Sequence, residues 1–329
     1  MDLKTEDFRQ WSPIRVYAQD GRIFVDWCFM GEKRFTEPFH DDTINILLRE
    51  PFNLLFLRRT PIEFLGEIYE RSKGCPPKGF IFHVSRCGST LVSRMLAALR
   101  RNIVISEASV IDKIIRPDAS FPPVSDEQKT IWLRWLFNAL GQRRFPEEEN
   151  FFVKFDSWSV LDLPLIERAF PDVPWIFMYR NPIEVIVSNL REPGAQMIPG
   201  TIENIFPGLN LFEILQFSTE ERFARTIAAF CCAGLENADS KNAMLVNYEQ
   251  LPDAVTNEIC SHFDVSFSDE ETEKMKGVSR FHAKTPHVEF KPDGEKKRLE
   301  ASETVRHFAQ TLVEPLYEEL EKRRLKIQV

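Results

Sequence analysis

The chain's pattern predicts an α/β fold. We expect a three-layer sandwich with a central parallel sheet and a P-loop-like anion site, preceded by a small β-rich N-terminal subdomain. From residue 79 onward, short apolar runs alternate with longer segments of helical period, the pattern of a parallel sheet covered on both faces. At residues 79–91 a strand, a turn of small residues and a helix start follow one another without a gap. Before residue 76 the pattern is different: residues 14–38 alternate, with a hairpin signal at Asp20-Gly21.

In chain order, Val16-Tyr17 and Ile23-Phe24-Val25 flank that turn as strands. Met30-Gly31-Glu32-Lys33 marks a second turn, and residues 43–49 and 61–72 read as helices. Cys75-Pro76-Pro77-Lys78-Gly79 then breaks the chain, which divides it into a β-rich subdomain, 1–75, and an α/β domain, 76–329. In the second part strands are expected at 79–84, 102–106, 151–155, 174–179 and 243–247, with helices at 126–141, 161–169, 182–191 and 219–237. A polar loop is expected over 282–298, holding Lys284-Thr285-Pro286 and Lys296-Lys297-Arg298. A last helix covers 300–325, with Val305, Phe308, Leu312, Leu316 and Leu320 on one face.

The strand at Phe80-Ile81-Phe82-His83 runs into Ser85-Arg86-Cys87-Gly88-Ser89-Thr90, and a helix follows with Leu91, Met95, Leu96 and Leu99 on one side. Backbone N–H groups at a helix start and the helix dipole favour an anion. Arg86 adds a permanent cation, and Gly88 lets the backbone approach closely. A triphosphate loop needs G-x-x-x-x-G-K-[ST]. Here Gly88 runs straight into Ser89-Thr90 and the cation stands earlier, so a shorter anion fits better.

Two further segments bear on the same site. After the strand Trp175-Ile176-Phe177-Met178-Tyr179, Arg180 leaves the carboxyl end, Asn181 is a good N-cap and Pro182 a good first helical residue. Ser188 falls about two turns into that helix, so Arg180 and Ser188 can grip one phosphate. After the strand at 243–247 comes Tyr248-Glu249-Gln250-Leu251. Ser85, Glu107, Asp156, Arg180 and Tyr248 all follow expected strands, and open α/β sheets bind ligands beyond the carboxyl ends of their strands.

Taken in order, these motifs resemble the sulfotransferases that use 3′-phosphoadenosine 5′-phosphosulfate (PAPS). In that family a basic-x-Gly-Ser/Thr-Thr loop holds the 5′-phosphosulfate, an Arg-x-Pro…Ser arrangement holds the 3′-phosphate, and the Tyr of a Tyr-Glu-Asp-Leu signature lies beside the adenine. Gln250 replaces the Asp of that signature here. The resemblance covers residues 79–251, does not obviously cover 1–78, and is weak after about 265. It implies a sulfotransferase moving the sulfuryl group of PAPS to a hydroxyl or amine of a small molecule or sugar, with adenosine 3′,5′-bisphosphate as product and no metal. Ser85, Arg86, Cys87, Gly88, Ser89, Thr90, Arg180, Ser188 and Tyr248 are then the nucleotide-binding residues. Arg86 also serves catalysis at the phosphosulfate. Some sugar-type members place a catalytic Glu after the second strand, so Glu107 is the first candidate base. Asp156 is the second, or an acceptor-binding group, with Lys154 as its candidate partner. Sulfotransferases also use a late basic loop over the nucleotide, a role open to 282–298, which lacks a sharp Arg-Lys-Gly match. His83 reads as a hydrogen-bonded core residue, and His282 and His287 as surface groups.

Composition bounds the rest. The 329 residues are 43% hydrophobic with net charge −8, and no long basic run occurs, so a nucleic-acid or heparin surface is disfavoured. The six cysteines form no C-x-x-C pair and no zinc spacing, which fits a reducing compartment. Cys87 reads as a small loop residue rather than an activated thiolate. No basic-plus-apolar leader and no run of about 18 apolar residues are present, so a soluble cytoplasmic protein without a membrane partner is expected. The competing readings are a P-loop kinase or nucleotide hydrolase using ATP and Mg²⁺, which the missing Gly-Lys-Ser/Thr opposes, and a non-catalytic nucleotide-binding module.

Overall fold

The Asp20-Gly21 turn, with φ of 51° and 72°, joins β1 (Trp11–Gln19) to β2 (Arg22–Phe29) in an antiparallel register that pairs Val16 with Val25. This is the expected hairpin. The second turn also forms, with Lys33 N–H donating to the Met30 carbonyl at 3.0 Å. Helices α1 (His40–Leu47) and α2 (Pro51–Leu55) follow. Then β3 (Arg58–Pro61) pairs with β2 before α3 (Glu63–Arg71). The helix expected from residue 61 therefore starts later, because β2 recruits 58–61 as a strand, and α2 was not anticipated.

The computed structural model describes residues 8–203, 205–282, 285–289 and 292–327. Its centre is a sheet built by β4 (Pro77–His83), α4 (Ser89–Ala97), β5 (Asn102–Ser106), α5 (Ser109–Ile115), α6 (Asp126–Leu140), β6 (Asn150–Lys154), α7 (Leu163–Ala169), β7 (Trp175–Tyr179), α8 (Pro182–Arg191), α9 (Leu211–Leu215), α10 (Thr219–Glu236) and β8 (Ala243–Asn247). The strand order is β5-β6-β4-β7-β8, parallel throughout. β8 coincides with the expected 243–247. The short α5 escaped notice, although it buries Val110, Ile111, Ile114 and Ile115.

The C-terminal part departs more. The one-turn α11 (Cys260–His262) and α12 (Asp269–Ser279) lead to β9 (Phe281–His282) and β10 (Thr285–Glu289). Where a polar loop over 282–298 was expected, β10 and α13 (Gly294–Glu300) form instead, and α13 is tied down by a Lys297–Asp293 ion pair of 2.9 Å. Lys284 lies outside the described residues, and so do the side chains of His282 and His287. The last helix is divided into α14 (Glu303–Phe308), a wide turn at Ala309–Val313 and α15 (Glu314–Ile327). Val305, Val313 and Leu320 are buried through all three pieces.

The core is continuous from the N-terminal sheet to the parallel one. Phe8, Trp11 and Trp27 belong to the same cluster as Phe80, Phe82, Phe152 and Phe177. Along the sheet, β5 and β6 lie on one side of β4 while β7 and β8 lie on the other. Strand order reverses at the β4–β7 boundary, where α/β sheets open a crevice at their carboxyl ends. Among the described residues no helix is long and apolar enough to cross a membrane.

Gly79 in β4 packs closely against Phe263. A Cβ there would lie 2.5 Å from the Phe263 ring. Gly79→Ala should therefore lower the unfolding free energy by about 1–3 kcal/mol through overpacking. Guanidinium unfolding should show a lower midpoint at unchanged slope, and an unchanged midpoint would mean that Phe263 gives way freely.

Candidate functional site

Apolar strands and small loop residues together open a cleft of about 750 Å³ over the carboxyl ends of the sheet. Ser85, Arg86, Gly88, Ser89, Thr90, Glu107, Arg180, Ser188 and Tyr248 all line it. The loop after β4 puts Ser85 (φ 72°), Arg86 (φ 51°) and Gly88 (φ 86°) in the left-handed region. Two of these carry side chains, a strain that persists only where surrounding structure holds it. Such alternation turns N–H groups into an anion-binding concavity, and α4 starts directly from Gly88. Cys87 is not at the cleft wall. It is fully buried, its thiol donates to the Met178 carbonyl at 3.3 Å, and burial pushes its pKa up to about 12. It is a structural small residue, as the sequence reading preferred.

The other two motifs meet this loop. A Cβ on Gly88 would lie 2.6 Å from Leu251 and 2.9 Å from the Tyr248 ring, so only glycine fits. The Arg180 guanidinium sits 3.8 Å from the centroid of the same ring. Arg180 is buried. Its Nε donates to Glu184 at 2.6 Å, and its Nη2 reaches Asp293 at 3.5 Å. The Asn181 side chain caps α8 by accepting from the N–H groups of Ile183 and Glu184, which aims Ser188 at the cleft. Arg298 from α13 also pairs with Glu184, and Lys297, almost fully buried, lines the cleft. The late basic cluster thus reaches the site, but from a helix. Arg86 reaches across the cleft to the Glu192 carboxylate at 2.9 Å and to that residue's carbonyl.

At the other end lies a network that the sequence showed only in part. Lys154, at the end of β6, has no solvent exposure. Its Nζ lies 2.7 Å from Glu107 Oε1, donates to Thr90 Oγ1 at 3.2 Å and sits 5.0 Å from the Phe39 ring centroid. Lys154 therefore pairs with Glu107, not with Asp156 as expected. Glu107 is itself held at φ 50°. His83 Nδ1 accepts from the Ser85 N–H at 3.0 Å, which leaves the proton on Nε2, 3.1 Å from the Phe155 carbonyl and 3.4 Å from Glu107. Burial lowers the His83 pKa, so the ring stays neutral. His83 is the hydrogen-bonded core residue expected, and it also touches the cleft. For Glu107, burial works against ionisation, but Lys154 and His83 overcome it and hold the carboxyl below its usual range.

Asp156 behaves in the opposite way. It occupies the N-cap position of a short 3₁₀ turn, Ser157–Asp162, yet its side chain makes no capping bond. Burial, followed by the charges of Glu107, Asp112 and Asp41, raises its pKa well above that of an ordinary aspartate, and Lys154 only partly opposes this. Ser157 and Trp158, just beyond it, line the cleft. Phe39 and the acidic partners Glu184, Glu192 and Asp293 were missed in the sequence. The one available signal was Lys154 itself, a single cation closing the apolar run Phe151-Phe152-Val153.

A family model described as "Sulfotransferase family" matches residues 77–269. Among solved structures, the chain is similar to a sulfotransferase from Alicyclobacillus acidocaldarius, with 14% identity over 76% of this chain and 96% of that one at a TM-score of 0.43. It is also similar to the sulfotransferase domain of the curacin biosynthetic pathway, at 16% identity over 73% of this chain and 98% of that one, TM-score 0.40. A mouse sulfotransferase complexed with PAP aligns at 13% identity over 75% of this chain and 92% of that one, TM-score 0.37. None of the curated proteins matches the chain in sequence.

The raised Asp156 pKa has a consequence for stability. A carboxyl that prefers its proton in the folded state stabilises the fold below its unfolded pKa and loses that contribution as pH rises through the folded one. Asp156→Asn removes the loss and breaks no capping bond. The variant's Tm, relative to wild type, should therefore be higher at about pH 8 than at about pH 4. A difference that is flat with pH in paired thermal scans would refute the raised pKa.

Proposed function

The chain belongs to the sulfotransferase family, and from that premise we propose that it transfers the sulfuryl group of PAPS to a hydroxyl or amine of a small molecule or sugar. One observation carries the proposal: the Tyr248 ring touches both the Gly88 backbone and the Arg180 guanidinium. Three motifs far apart in the chain thus share one cleft that holds several cations and an aromatic ring. The donor set suits a nucleotide with two separated anionic groups. The loop N–H groups, Arg86 and Lys154 serve the 5′ end; Arg180, Ser188 and Lys297 serve the 3′-phosphate; Tyr248 serves the adenine. We extend the proposal to a cytoplasmic setting, on the strength of six cysteines that carry free thiols.

PAPS, when bound, supplies a sulfuryl group whose bond to the bridging phosphate oxygen breaks as the acceptor oxygen or nitrogen bonds to sulfur. The protein's part is to align the acceptor, neutralise charge on the departing phosphate and accept the acceptor's proton. Lys154 is preset for the second task, since Glu107 and Thr90 hold its ammonium beside the anion loop. Of the two carboxylates, we assign the base to Asp156, which does not itself line the cleft but directly precedes Ser157 and Trp158, which do. The Asp156 pKa is displaced upward, the direction that makes a carboxylate a stronger base. Glu107, the first choice from sequence, is bound to Lys154 and displaced downward, which makes it the residue that orients the lysine.

Adenosine 3′,5′-bisphosphate should stabilise the protein in a thermal-shift assay far more than 5′-AMP does. Arg180→Ala should weaken bisphosphate binding about tenfold or more, the value of a charge-assisted hydrogen bond. Equal affinity for the two nucleotides would sink the 3′-phosphate assignment.

With labelled PAPS and a panel of hydroxyl and amine acceptors, Asp156→Asn should lose about 10²–10⁴-fold in turnover. Wild-type turnover should rise with pH as Asp156 loses its proton. Glu107→Gln should instead destabilise the fold by about 3 kcal/mol, because it strips the buried lysine of its counter-charge. A dead but fully stable Glu107→Gln beside an active Asp156→Asn would exchange the roles.

A further inference from the structure

A second cavity, of about 290 Å³, lies beyond the cleft under the segment that follows α8. Gln196 is buried and lines both spaces, so they adjoin across one side chain. The wall carries apolar side chains, with Met197 and Ile205 buried and Phe206 and Ile214 beside them, together with a comparable area of polar surface. One cation enters it. Arg222, in the first turns of α10, has its Nε shut off from solvent with no hydrogen-bond partner, and its guanidinium lies 5.9 Å from the Phe223 ring centroid. Glu203 also lines the cavity but is exposed. At the mouth, Ile198, Leu209 and Leu211 are 54%, 40% and 50% exposed, which gives an apolar ligand a surface to enter along.

An arginine Nε–H shut off from solvent without an acceptor is an unfavourable arrangement and calls for an explanation. We infer that this cavity is a carboxylate-binding subsite for the acceptor, taking an amphipathic acid whose carboxylate sits on Arg222 and whose apolar chain lies against Met197, Ile205 and Phe206. A carboxylate matches one guanidinium fork with two parallel bonds. A phosphate dianion would bring a larger desolvation cost and a second negative charge to a cavity with one arginine and the Glu203 carboxylate. At roughly 30 Å³ per liquid-density unit the space holds about ten heavy atoms. That the ligand is the acceptor rests on the sulfotransferase reading; that the cavity binds an acid does not.

The test is calorimetric titration of octanoate and of octan-1-ol into the full-length protein. Octanoate should bind at least about tenfold tighter, as a buried charge-assisted pair implies, and Arg222→Gln should remove that advantage. Equal binding of acid and alcohol, or octanoate binding untouched by Arg222→Gln, overturns the subsite. If Arg222→Gln fails to fold, the wild-type comparison of acid with alcohol still decides. Adenosine 3′,5′-bisphosphate titrated into the same wild-type sample separates the two readings: its failure to bind counts against the sulfotransferase site, and octanoate's failure counts against the subsite alone. With labelled PAPS, an ω-hydroxy fatty acid should then show a lower KM than its methyl ester, and equal KM values would remove the acceptor role.

Discussion

Lys154 carries its ammonium at zero solvent exposure at the end of β6, and an unpaired charge in that position would cost several kcal/mol. The structure around the cleft is arranged to meet that cost. Glu107 supplies the opposite charge, Thr90 an acceptor and Phe39 the face of a ring. These groups come from the end of β5, the start of α4 and the segment after β2. One buried cation thus ties the anion loop, two strand ends and the N-terminal subdomain to each other. Glu107 holds a left-handed backbone to reach it. Nearby, Asp156 is left as a carboxylate with no capping duty among like charges. The two acids shift in opposite directions, because Lys154 contacts Glu107 directly while Asp156 is raised first by its own desolvation and then by the charge of Glu107, which Lys154 only partly offsets.

The cationic end follows a second logic. A chain of net charge −8 concentrates arginine and lysine here and matches each with an acid: Arg180 with Glu184 and Asp293, Lys297 with Asp293, Arg298 with Glu184, Arg86 with Glu192. Any anion entering the cleft therefore competes with carboxylates already in place. Such competition sharpens selectivity, since a weakly charged ligand cannot displace them. Burial of Arg180 against Tyr248 keeps the guanidinium plane fixed whichever partner it holds.

Much of this was legible in residue order. The apolar strands, Gly88 in its turn, Asn181-Pro182 at a helix start and Tyr248 after a strand are local signals, because propensity, capping and turn chemistry act over a few residues. The strand 243–247 and the helix 182–191 were placed to the residue. The failures share a cause. The strand 58–61 exists only because β2 offers it a partner, and α13 is held by Glu184, more than 100 positions away, through Arg298. Neither leaves a periodic trace. Lys154 was seen beside Asp156 in sequence, yet side chains two apart on a strand share a face only by projection, and its true partner came from the neighbouring strand.

The sequence alone determined the α/β class, the parallel sheet, the anion loop and the set of motifs that mark the family, since each is written in contiguous residues whose backbone preferences are intrinsic. Tertiary structure decided which charges meet. It set the strand order β5-β6-β4-β7-β8 that brings Arg180 and Gly88 to one boundary, gave Lys154 to Glu107, raised the Asp156 pKa and left the Arg222 Nε unpartnered in a second cavity. Electrostatic character depends on burial and on neighbours a few ångströms away, and both are properties of the packed chain rather than of any stretch of it.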